Sequence, residues 1–255
     1  MIDRSKFTWP NGASGAVSLT YDDALPCHYE AVTPLLEAAG LRGTFNIAIA
    51  RPNFMDHVSA WRDVAARGHE LGNHTLFHPC RSEPLDERPG QDIGYNLCYY
   101  TEKRFRDEVG LANWILTQTD GRREHTYANT CHHNSIGTGA SQQSIEPMLA
   151  DHFVAARGEC TNRMVNIAQV NYMNLGTVGA DGRSFESLRD EIASALEAGN
   201  WVVYTMHGVG QGTHRLFIDA EEHRHLVEWL SANRKHIWTA PMIEVAKHLL
   251  QHESR

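Results

Sequence analysis

No stretch of this 255-residue chain is apolar for long enough to cross a bilayer, and its first residues, MIDRSKFTWPNGASG, carry charges and turn formers where a secretory signal needs an apolar run. A cytoplasmic protein without membrane contact is expected. Positive charge is also scarce: 23 Lys and Arg stand against 31 Asp and Glu, for a formal net charge of −8. That balance argues against a sequence-independent grip on nucleic acid or on an anionic membrane, both of which need clustered basic residues. A neutral or cationic small substrate is easier to accommodate. Cys27, Cys80, Cys98, Cys131 and Cys160 are odd in number, scattered and without any C-x-x-C spacing. Such a set suggests neither a disulfide framework nor a thiolate zinc site, and it fits reduced thiols in a reducing compartment. No internal repeat or low-complexity tract is present, which argues against a solenoid.

What is there suffices for a large core: 42% of the residues are hydrophobic and 21% charged. An α/β barrel of this length commonly forms one domain, so a single catalytic domain over residues 1–255 is expected. Short β-rich runs recur at 16–21, 43–48, 70–74, 126–130, 153–157, 201–207 and 237–241, about seven in all. Stretches with helical spacing follow them at 28–39, 56–66, 101–118, 141–150, 185–198, 220–233 and 242–252. Regular alternation of this kind implies a parallel sheet, closed or doubly wound. Two stretches, 79–96 and 158–183, interrupt the rhythm and read as long βα loops. In parallel α/β folds the chemistry lies at the carboxyl ends of the strands.

The first run ends in Thr20-Tyr21-Asp22-Asp23, two adjacent carboxylates whose side chains point differently because strand residues alternate. Taken alone the pair reads as a turn or a helix cap. The third run ends at His74, and His78 follows four residues later, so that on one helical turn both imidazoles would share a face. Two neutral imidazoles and one carboxylate, with positions left for water and substrate, form the ligand set of a catalytic Zn²⁺ or a similar ion. That combination favours His74, His78 and one of the two carboxylates as ligands, with the neighbouring carboxylate as general base. Late in the chain a strand-like run delivers His207 at its end, where it can act as general acid for the leaving group. The loop Cys131-His132-His133-Asn134 follows the fourth run and reads as substrate lining, with His132 as its candidate. Gly208 to Gly212 lacks the lysine of a phosphate loop and reads as a flexible rim. The charged run 221–225 reads as the solvated face of a helix.

Ser18-Leu19-Thr20-Tyr21-Asp22-Asp23, the segment Gly68-His69-Glu70-Leu71-Gly72-Asn73-His74 through His78, and Met206-His207 together resemble the polysaccharide deacetylase family, the fourth carbohydrate esterase family. The resemblance covers nearly the whole chain. It implies a distorted (β/α) barrel of about seven units. It also implies a base at Asp22, an acid at His207, and one divalent ion on Asp23, His74 and His78, namely Zn²⁺, with Co²⁺, Ni²⁺ or Mn²⁺ as alternatives. Departures are visible. The family's T-F-D-D-G reads T-Y-D-D-A, and its R-P-P-Y stretch is replaced by Ala128-Asn129-Thr130-Cys131, which removes the arginine that orients the base. On this alignment the backbone N–H of Cys131 takes the oxyanion-stabilising place, and Arg157 at another strand end can stand in for the lost arginine. The family's fourth-motif aspartate has no clear match between Arg157 and Arg183.

The implied reaction is removal of an N-acetyl or O-acetyl group from a carbohydrate. Two alternatives stay open: hydrolysis of a small amide or imide, as in the allantoinase-like branch of the superfamily, and a non-catalytic carbohydrate-binding barrel. The oligomeric state is left open.

Overall fold

The computed structural model describes residues 2–83, 93–158 and 160–253; residues 84–92 of the first long loop lie outside the described residues. Eight strands form one parallel sheet: β1 (Gly15–Asp22), β2 (Thr44–Ile47), β3 (Glu70–Asn73), β4 (Tyr127–Ala128), β5 (Ala156–Arg157), β6 (Val178–Gly179), β7 (Trp201–Met206) and β8 (Ile237–Thr239). Seven of them lie in the order β5-β4-β3-β2-β1-β7-β6, while β8 pairs with the first half of β1, below the point where β2 joins. The curled sheet is a half-barrel, consistent with the distorted (β/α) barrel that the sequence implies. Its gap is narrowed by the stretch before β6: Leu175 bridges in parallel to Arg157, and Val178–Gly179 then pairs with Tyr204 and Thr205.

All eight residues of β1 are buried, as a central parallel strand covered on both faces requires. Period-two alternation divides them. Val17, Leu19 and Tyr21 join Phe45, Leu71, Val202 and Tyr204 in the main core, against Leu36, Trp61, Leu188 and Leu226. Ser18, Thr20 and Asp22 face the other way and are held by polar contacts, Ser18 Oγ donating to Ala240 O at 2.8 Å and Thr20 Oγ to Tyr204 O at 2.6 Å.

The longer helices are α1 (Thr33–Ala38), α2 (Val58–Ala66), α3 (Glu102–Asp120), α4 (Phe185–Glu197), α5 (Ala220–Ala232) and α6 (Met242–Gln251). Local signals explain their ends. Thr101, Ser184 and Asp219 accept backbone N–H bonds as N-caps, and Gly121 closes α3 at a positive φ of 73°.

Several expectations are corrected. The helix expected over 141–150 contracts to Glu146–Leu149, because residues 143–144 pair with 135–136 in a small antiparallel ribbon. The loop expected over 158–183 contains β6, too short for periodicity to reveal. The helix expected from residue 28 opens with a π-turn over His28–Val32. His223, read as part of a solvated run, is fully buried and within 2.8 Å of the Tyr21 hydroxyl. Among the described residues no helix is long and apolar enough to cross a membrane. Ile2 and Glu253 form an antiparallel bridge, which brings the two ends of the described chain together.

Candidate metal centre and its surroundings

The register of three neighbouring strands builds the centre. Asp22 lies opposite Asn46 on β2, and Asn46 opposite Gly72 on β3. Asn46 Nδ2 donates to Asp22 Oδ1 at 2.8 Å. Gly72 makes room for that carboxamide, since a Cβ there would collide with Asn46 Oδ1. The chain leaves β1 at Asp23 with a φ of 74°, which turns this carboxylate away from its neighbour.

His74 follows β3 directly, and its Nδ1–H donates to Ala128 O at 2.9 Å on the next strand, which leaves the Nε2 lone pair facing both carboxylates at 3.9 Å. His78 reaches the same place differently from the expected helical turn. Residues 74–79 are a non-helical loop in which Thr75 and His78 have φ of 64° and 57°. The sharp reversal brings the two imidazole centroids to 4.8 Å and puts His78 Nε2 3.2 Å from Asp23 Oδ1. Donor atoms of Asp23, His74 and His78 all lie within 4.8 Å of one another. Asp23 Oδ1 is buried yet receives no hydrogen bond. A carboxylate oxygen in that condition, facing two imidazole nitrogens, fits a divalent cation.

Burial pushes the Asp22 carboxyl up, but Arg157 and then His74 overcome it and hold it well below the ordinary carboxylate range. Arg157 is itself fully buried; it donates through Nη1 to Thr20 Oγ at 2.6 Å and through Nη2 to Asp22 Oδ2. The stand-in arginine expected from the resemblance is therefore in contact with the carboxylate it was expected to orient. Burial raises the Asp23 carboxyl too, and His78 followed by His74 lowers it below its usual value. Burial, helped by His74, brings the His78 imidazole down to about 4, so that it is neutral at physiological pH.

His207 lies across the mouth at the end of β7. Asp181, just beyond β6, accepts its backbone N–H at 3.0 Å and its Nδ1–H at 2.7 Å. Burial lowers the imidazole, but the Asp181 hydrogen bond and then the Asp22 charge leave it above the ordinary histidine value. Asp181 was missed in the sequence because β6 is too short to mark a strand end. His214 was missed as well. Its ring stacks on His207 with centroids 5.3 Å apart, and its Nε2 lies 3.9 Å from Asp23 Oδ2. The loop that carries it is pinned by pairing of Gly208–Val209 with Phe217–Ile218, which replaces the expected flexible rim.

Cys131 and His132 form a tight turn with φ of 51° and 59°. Burial, followed by Arg157, lowers the His132 imidazole to about 4. The expectation of reduced thiols is corrected for two cysteines: Cys80 and Cys131 are joined as a disulfide with Cα atoms 5.7 Å apart, whereas Cys27, Cys98 and Cys160 carry thiols. The sequence shows only scattered cysteines, and the fold brings two strand-end loops together.

Residues 10–132 match the family model described as polysaccharide deacetylase. A relative, a gellan lyase from Bacillus sp., is 27% identical over 179 residues, which is 70% of this chain. The match spans 6% of the length of that lyase. Among solved structures, the chain is similar to a Mycobacterium smegmatis protein named as a polysaccharide deacetylase, with a TM-score of 0.65 at 15% identity, covering 96% of this chain and 93% of that one. It is also similar to Puue allantoinase, with a TM-score of 0.61 at 14% identity and coverages of 94% and 91%. At such identities the likeness is one of fold.

Proposed function

We propose that this chain, whose residues 10–132 belong to the polysaccharide deacetylase family, is a single catalytic domain that removes acetyl groups from a carbohydrate with the help of one divalent ion. The observation that carries this reading is the convergence of Asp23, His74 and His78 beside a second carboxylate already held ionised by Arg157. Two imidazoles and a carboxylate favour zinc over the oxygen-seeking magnesium and calcium. Such an ion, when bound, supplies Lewis-acid polarisation of the acyl group and acidifies water.

The chain's own residues do the rest. Asp22, anionic and aimed by Asn46 and Arg157, accepts the proton of the attacking water. The backbone N–H of Cys131, in its left-handed turn, donates to the developing oxyanion. His207, oriented through Nδ1 by Asp181, presents Nε2 to the leaving nitrogen or oxygen and donates its proton there. His132 lines the substrate side.

Acetate release from acetylated oligosaccharides by zinc-reconstituted protein tests the reading, with cyclic imides as the second arm. Turnover of the imides alone would replace it with an allantoinase-like activity, and turnover of neither would leave a binding barrel. Asp22→Asn is expected to keep one ion per chain by elemental analysis and to lose 10²- to 10⁴-fold in turnover, about what general-base catalysis contributes. His74→Ala is expected to lose the ion. Cytoplasmic residence belongs to the same proposal and is tested by fractionating the cells that make the protein.

A further inference from the structure

His78 belongs to two clusters at once. Its Nε2 lies 3.2 Å from Asp23 Oδ1, while its Nδ1 lies 3.8 Å from Cys80 Sγ. The donor atoms of His78, Cys80 and Cys131 all lie within 4.8 Å of one another, just as those of Asp23, His74 and His78 do. A neutral imidazole has one nitrogen lone pair, and the position of its proton decides which nitrogen carries it. With the proton on Nδ1, His78 serves the first cluster; with the proton on Nε2, it serves the second. It cannot serve both while neutral.

Bonded to each other, the two sulfurs are not thiolates and do not hold zinc. We propose that reduction of Cys80–Cys131 creates a second metal site, made of the two thiolates and His78 Nδ1, which takes zinc or another thiophilic divalent ion and withdraws His78 from the first site. The reductant is a dithiol. Its thiolate attacks one sulfur of the pair and forms a mixed disulfide; its second thiol then displaces that bond, so that the dithiol gives up two electrons and the chain gains two thiols. The incoming ion displaces both thiol protons. Three protein ligands leave a fourth position for water.

The loops that carry the cysteines stay together without the covalent bond. Thr130 Oγ donates to Pro79 O, Arg81 N–H donates to His133 Nδ1 at 2.9 Å, and Arg81 Nη1 donates to Gly137 O at 2.8 Å. Both sulfurs therefore remain beside Nδ1 after cleavage.

Formation of the second site stands on these residues alone, whereas its inhibitory effect rests on the deacetylase reading. Thiol titration of the oxidised, unfolded chain is expected to give three thiols, rising to five after reduction, because three of the five cysteines lie outside the pair. Reduced protein titrated with Co²⁺ should then develop a near-ultraviolet thiolate-to-cobalt band that oxidised protein lacks. In Cys80→Ser that band should fall to half or less. With excess Zn²⁺, reduction should lower deacetylation at least tenfold, re-oxidation should restore it, and Cys80→Ser should be indifferent to the reductant. A reduced wild-type chain without the cobalt band, or one that still shows five thiols after treatment with oxidant, overturns the proposal. If the band appears in a chain inactive under every condition, the second site stands and the deacetylase reading falls.

Discussion

At Asp181 a single carboxylate sets both the orientation and the basicity of His207. The raised imidazole stays protonated to higher pH than an ordinary histidine, so the alkaline limb of the kcat/KM profile is expected above the histidine value of 6.5. Asp181→Asn removes the charge and one hydrogen bond, and the limb is then expected to move to lower pH while the bound ion is kept; an unmoved limb would separate His207 from the acid role. The residues that were legible in the sequence were Asp22, Asp23, His74 and His207, which sit at the ends of recognisable strands, and His78, four residues beyond His74. Asp181 and His214 were not legible, for they sit in turns where spacing carries no fixed direction. His74 and His78 do come together, but by a different geometry from the one expected. Spacing suggested a helical turn, and positive φ at Thr75 and His78 does the work instead.

At the scale of elements, Arg157 ties the end of β5 to the end of β1 across the interior. Its guanidinium and Asp22 are both buried, so the attraction between them offsets a desolvation cost that neither could bear alone. Arg157→Gln leaves the carboxylate without its cation and is expected to destabilise the fold by about 3–5 kcal/mol, measured by denaturant unfolding, as breaking a buried pair typically does. A loss below about 1 kcal/mol would mean that Asp22 is solvated, contrary to its burial. The strands with long apolar runs were legible in the sequence, as was the overall alternation. Two-residue strands such as β6 were not, because pairing with β7 fixes them and no local pattern does.

For the whole molecule, acid is the expected weakness. Burial brings His28 and His223 down to about 4, far below 6.5, so both are neutral in the folded chain. Between those values the unfolded chain binds their protons and the folded chain does not. Their contribution is therefore complete above pH 6.5 and is lost as the pH falls toward 4, by up to about 1.4 kcal/mol per pH unit for each imidazole. A thermal midpoint that stays level from pH 6.5 to 4.5 would contradict this. The bridge between Ile2 and Glu253 has a different kind of consequence. It joins Ile2, well ahead of β1, to Glu253, just past the end of α6, away from the strand termini that carry the metal ligands. A short peptide could join these ends and new ones could be opened in a surface turn, giving a circularly permuted protein with its chemistry undisturbed. By the same geometry the barrel can be spliced into a much longer polypeptide as a cassette, entered and left through one door.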